Sequence, residues 1–111
     1  MDVDAMTDKR VVLSTAGTKD EAQKIALMLV ERKHAACVNI SGPMESVYRW
    51  QGKVEDAQEW LLIIKTTVEQ FVRVKETIRE VHSYDLPEII EIPIESGSHE
   101  YLEWIAESVR Q

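Results

Sequence analysis

Cysteine occurs once in this 111-residue chain, at Cys37, so no intrachain disulfide can form and a reducing compartment is the simplest setting. Basic residues are outnumbered 13 to 20, leaving a formal charge of −7. That balance excludes general nucleic-acid binding, which needs a cationic footprint to displace counterions. It argues equally against docking on an anionic membrane surface. Apolar runs are short; Trp60 to Ile64 is far too brief to cross a bilayer. The first eight residues lack both a basic segment and an apolar run, which predicts no signal peptide and a cytoplasmic protein. Also missing are a CxxC pair, an HxxxH pair, a clustered aspartate loop, a P-loop and a glycine-rich phosphate cradle. With no activated nucleophile–base pair in view, the expectation is a protein that is not an enzyme.

What is present reads as one domain. Residues 1–9 are expected to be a disordered acidic tail, and 10–111 a single domain. A chain of this size buries only about 65% of its unfolded surface, so self-association would stabilise it. Arg10 to Ala16 is a β-branched run closed by Gly17, a strand. Thr18-Lys19-Asp20-Glu21 matches a capping box, and Ala22, Ile25, Ala26 and Leu29 form the stripe of a helix to about Lys33. Ala36 to Ile40 is a second strand, and Gly42-Pro43 predicts a bulge or an exposed edge because proline donates no ladder bond. Met44 to Trp50 resumes extended structure, Gln51-Gly52-Lys53 turns, and Val54 to Thr66 returns as a strand ending in the apolar run WLLII. Thr67 to Gln70 repeats the capping pattern before a helix carrying Val68, Phe71, Val74, Ile78 and Val81. Glu88 to Ile94 is the last core strand, followed by a helix with Leu102, Ile105, Ala106 and Val109.

The fold class predicted is α+β, a ferredoxin-like βαββαβ with an extra C-terminal helix, an antiparallel sheet and a long hairpin between the second and third strands. Right-handed crossovers put the first two helices on one face of the sheet. The other face is too apolar to leave wet, and closed symmetric association is the usual remedy.

Five blocks carry a resemblance: Ala36-Cys37-Val38-Asn39, Tyr48 to Lys53, Glu59 with Leu62 to Thr66, His82-Ser83-Tyr84-Asp85-Leu86-Pro87-Glu88, and Tyr101 to Ile105. In order and spacing they resemble the CutA divalent-cation-tolerance family. The resemblance implies a homotrimer like the PII signalling proteins, and a role in tolerance of divalent cations, Cu²⁺ or another. Copper-binding members carry a cysteine in the first strand and a His-His pair before the Tyr block. Here Ser14 and Val81-His82 occupy those places, and one neutral imidazole cannot hold copper tightly.

His82 and Cys37 remain the metal candidates on chemistry alone. The simpler readings are a capping histidine and a small buried hydrophobe. Glu59, Lys65, Asp85 and Glu88 are expected to form ion pairs within or between subunits. The functional alternative is a cleft between subunits, lined by Trp50, Glu59, Lys65, His82, Tyr84 and Glu88, that takes a small anion or metabolite.

Overall fold

The computed structural model describes residues 7–111. Its elements run β1 Lys9–Ala16, α1 Lys19–Glu31, β2 Cys37–Trp50, β3 Lys53–Thr67, α2 Phe71–Val81, β4 Ile90–Pro93 and α3 His99–Ser108. One four-stranded antiparallel sheet holds them in the order β2-β3-β1-β4. This is the α+β ferredoxin-like arrangement anticipated, with α3 appended.

Strand period sets the core. Val12, Ser14 and Ala16 of β1 alternate onto one face beside Leu62 and Ile64 of β3, all fully buried. Against them pack Ala22, Ile25 and Leu29 of α1 and Val74 and Ile78 of α2, the helical positions separated by three or four residues. A second, smaller cluster joins Ile105 of α3 and Val109 at its C-cap to Ala36, flanked by Ile94 and Leu102. The apolar run WLLII lies on β3, an inner strand, as two-sided apolarity requires.

Several boundaries shift for identifiable reasons. Strand β1 starts at Lys9, opposite Thr67, one residue earlier than expected. Thr7 already donates from its hydroxyl to the Ile94 carbonyl. The rest of the expected tail, residues 1–6, lies outside the described residues. The two short strands expected around Gly42-Pro43 form the single strand β2, with a register shift between Ser41 and Met44 on the edge of the sheet. Both outcomes foreseen for the proline are therefore met together. Gly42 sits at φ +155°, and a Cβ there would lie 2.8 Å from the Trp60 ring, so the backbone and the indole exclude any larger residue.

Helix α1 stops at Glu31 because Lys33 takes a left-handed φ of 62°. The second capping box is not formed. Thr67 finishes β3, Gln70 occupies the cap without a side-chain bond, and its Oε1 is buried without a partner among the described residues. Finally, β4 has four residues at an edge, where Ile90 and Ile92 remain substantially exposed; it is not a core strand.

Candidate functional site

The segment His82 to Glu88 connects the end of α2 to β4 and is held by three neighbours. His82 caps α2, donating its backbone amide to the Ile78 carbonyl at 2.8 Å. Its ring is wholly buried. Nε2 lies 2.6 Å from the Thr15 carbonyl, which can only accept, and Nδ1 lies 3.0 Å from the Tyr84 amide, which can only donate. Those partners put a ring proton on Nε2 and an amide against Nδ1, with Glu21 Oε2 also 3.5 Å from Nδ1. Both nitrogens are therefore occupied.

Glu21 is the second neighbour. Thr18 Oγ1 accepts from the Glu21 amide at 3.1 Å, so half of the expected capping box exists. The Glu21 carboxylate reaches across to Ser83 instead, accepting from its amide and its hydroxyl at 3.2 Å each. Gly17 is the third. A Cβ at that position would lie 2.9 Å from the Tyr84 hydroxyl, so this glycine leaves the room that the phenol occupies.

Tyr84 is thereby aimed at Glu59, donating to Oε2 at 3.0 Å. Burial, then the bond to the Glu59 carboxylate, push the Tyr84 phenol up to about 12, so it stays protonated at neutral pH. Glu59 is only 8% exposed. Burial, and secondarily the Glu59 charge, raise Glu88 above the ordinary carboxylate range. Together these groups border a concavity of about 670 Å³ that runs along the outer half of the β2–β3 hairpin, whose lining includes Tyr48, Trp50, Glu59, Tyr84, Asp85 and Glu88.

Four of the six residues expected to line a cleft, Trp50, Glu59, Tyr84 and Glu88, thus meet around one concavity. Lys65 and His82 do not border it. Lys65 donates its ammonium to Asn39 Oδ1, which also lies 3.8 Å from Cys37 Sγ. The expected ion pairs of Glu59, Lys65, Asp85 and Glu88 do not close within the described residues; the ion pairs observed involve other groups. The lining contains three carboxylates and no Lys, Arg or His, which disfavours the small anion anticipated. The basic residues Lys75 and Arg79 of α2 border an adjoining groove that shares Tyr84, Asp85 and Leu86 with the first.

Nor do the residues fit a copper site. The His82 nitrogens are bonded, Ser14 supplies a hydroxyl where copper-binding members carry a thiol, and the one hydrogen-bond partner of Cys37 Sγ among the described residues is Asn39. Among the described residues no group of three His, Cys, Asp or Glu side chains converges on a common point. Sequence reasoning missed Glu21 and Tyr48. The first was read as a cap; the second had no signal beyond its place in a shared block.

Comparison with known proteins is unambiguous about relatives. The family model described as CutA1 divalent ion tolerance protein matches residues 10–108. The divalent-cation tolerance protein CutA of Thermus thermophilus is 46% identical over 100 residues, covering 90% of this chain and 97% of the relative. A solved structure named as the periplasmic divalent cation tolerance protein CutA of Archaeoglobus fulgidus superimposes with a TM-score of 0.89 at 44% identity, covering 92% of this chain and 99% of that one. The structure of CutA1 from Oryza sativa gives a TM-score of 0.91 at 40% identity, over 96% of this chain and 97% of the other.

Proposed function

The chain belongs to the CutA1 divalent ion tolerance family, and on that premise we propose that it acts in tolerance of divalent cations, copper among them, as a homotrimer and without catalysis. The observation that carries the proposal is the set of carboxylates Glu59, Asp85 and Glu88, which border one concavity with no basic residue in its lining. Carboxylates presented singly give only weak coordination of hard divalent ions. A trimer is supported by apolar side chains exposed at both edges of the sheet, Val47, Tyr48, Trp50 and Val54 on the hairpin and Ile90 and Ile92 on β4, since exposed apolar patches mark association surfaces. The cytoplasm is the setting that its one unpaired thiol favours.

Calorimetric titration with Cu²⁺ tests the metal reading. Binding is expected to be weak, with a Kd on the order of 10⁻⁴ M. His82→Ala and Cys37→Ala should leave it unchanged, while Glu88→Gln weakens it. Micromolar affinity lost in either of the first two variants would overturn this reading in favour of a soft-ligand site.

A second reading, a ligand-binding trimer of the PII type, rests on a different observation. A concavity of about 670 Å³ with an aromatic and polar lining lies in the size range of small-molecule sites. A thermal-shift screen of metabolites that stabilises nothing would remove it.

A further inference from the structure

We propose that His34 is an acid-released latch between the C-terminal end of α1 and the middle of α2, closed while its ring is neutral and opened by protonation of Nδ1. None of the residues involved borders the concavity, so the latch is independent of the metal and ligand readings.

Thr77 of α2 stands at the centre of the joint. It is 1% exposed, and its Oγ1 meets Arg32 Nη1 at 3.2 Å and His34 Nδ1 at 3.0 Å. The guanidinium can only donate, so it takes one lone pair of the hydroxyl. Among the described residues, the hydroxyl proton then has one acceptor, the His34 nitrogen. Nδ1 is therefore unprotonated and the ring proton sits on Nε2. The backbone holds the ring in place from two further directions. The His34 amide donates to the Leu29 carbonyl at 2.9 Å, and the His34 carbonyl accepts from Thr66 Oγ1 at 2.6 Å.

Protonation dismantles this arrangement in two ways. A proton on Nδ1 makes that nitrogen a donor, so Arg32 and His34 both compete for Oγ1 and the hydroxyl proton loses its acceptor. A buried donor without a partner is costly. The new charge also enters a basic neighbourhood. The charged groups that act on the ring are Arg32 at the C-cap of α1 and Arg73 and Glu76 on α2, while β3 meets the residue with uncharged Thr66. Glu80, the next carboxylate along α2, is already engaged by Arg32 in a two-point contact at 3.1 and 3.2 Å. Two guanidiniums thus oppose one carboxylate.

Burial, then Arg32, then Arg73 hold the imidazole below its ordinary 6.5, against the opposing pull of Glu76. The folded ring resists protonation more than the unfolded one. The latch's contribution is therefore full above about pH 6.5 and is lost as pH falls through the lowered folded value. The chain from His34 leads directly into the edge strand β2, so the latch sets how firmly the start of that strand is tied to the helices.

The test is an NMR titration of the full chain from about pH 8 to pH 5, following imidazole resonances and amide-exchange protection factors. His34→Asn assigns the His34 signals and serves as control, because its Oδ1 can accept from Thr77 and does not titrate. The His34 midpoint should lie below about 6.5. It should rise in Thr77→Val, which lacks the hydroxyl, and return toward the wild-type value in Thr77→Ser. The His34 and Ala35 amides both bond to the Leu29 carbonyl. In acid their protection should drop several-fold in wild type relative to His34→Asn, in which position 34 stays closed. A midpoint at or above 6.5, an unchanged midpoint in folded Thr77→Val, or equal acid loss of protection in wild type and His34→Asn would each overturn the latch. The last comparison decides the matter even where Thr77→Val does not fold.

Discussion

Individual residues divide here into those that serve the core and those that serve the corner. Ser14 is fully buried on the helix-facing side of β1, and its hydroxyl has no partner among the described residues. A lone buried hydroxyl costs roughly 1–3 kcal/mol. Ser14→Ala should therefore raise stability by about 1 kcal/mol, measured by urea unfolding; a loss instead would mean that the hydroxyl is bonded in solution. Glu88 makes a pH prediction. Its folded pKa lies above the ordinary 4.5, so the folded state holds a proton that the unfolded chain has released. The favourable contribution is full below the unfolded value and is lost as pH rises through the raised one. Wild type should lose stability relative to Glu88→Gln between about pH 4 and neutrality, and parallel curves would refute the assignment. Much of the corner was legible from residue types: a buried imidazole, a phenol and carboxylates packed into seven positions. The role of Glu21 was not legible, because its partner Ser83 lies 62 positions away and a local capping motif explained it sufficiently.

Elements followed their periodicities more faithfully than their caps. The stripes of α1, α2 and α3 locate most of the buried residues, because burial enforces the helical repeat over several turns. The α2 stripe misses buried Thr77 and includes Val68, which precedes the helix and is exposed. Caps are decided by one or two bonds, and tertiary demands outweigh them. Thr18 and Ser98 accept from the residue three positions on, as capping residues do, whereas Thr67 extends β3 and leaves α2 uncapped by any side chain. Thr18→Ala is accordingly expected to cost about 1 kcal/mol, while Gln70→Ala should cost less, since no capping bond is lost. Equal losses in thermal melts would show that the cap contributes nothing particular. Strand β4 is shorter than the expected Glu88 to Ile94, because its ladder with β1 runs only from Ile90, opposite Leu13, to Pro93, opposite Arg10.

At the scale of the whole molecule, the long hairpin extends the protomer to 49 Å, against 30 and 22 Å along the other axes. Apolar side chains on that arm and on the β4 edge are poorly suited to a lone chain in water. Light scattering at micromolar concentration is expected to give three times the 12.8 kDa chain mass, and a monomer would overturn the trimer. Hairpin substitutions such as Val47→Glu should dissociate the assembly before they unfold the protomer. The fold could be anticipated from the sequence because the order of helices and strands restricts topology severely. The concavity could be anticipated only in part: Trp50 and Tyr48 border it from the hairpin and Tyr84 from the segment between α2 and β4, residues that no local pattern joins.

Glu21, whose amide is held by Thr18 at the start of α1 and whose carboxylate accepts from Ser83, ties the first helix to the corner. A change at Glu21 would reach the concavity through Ser83 and Tyr84, although Glu21 itself does not border it. The pocket's geometry is thus inherited from a residue that looks, in the linear chain, like routine punctuation of a helix.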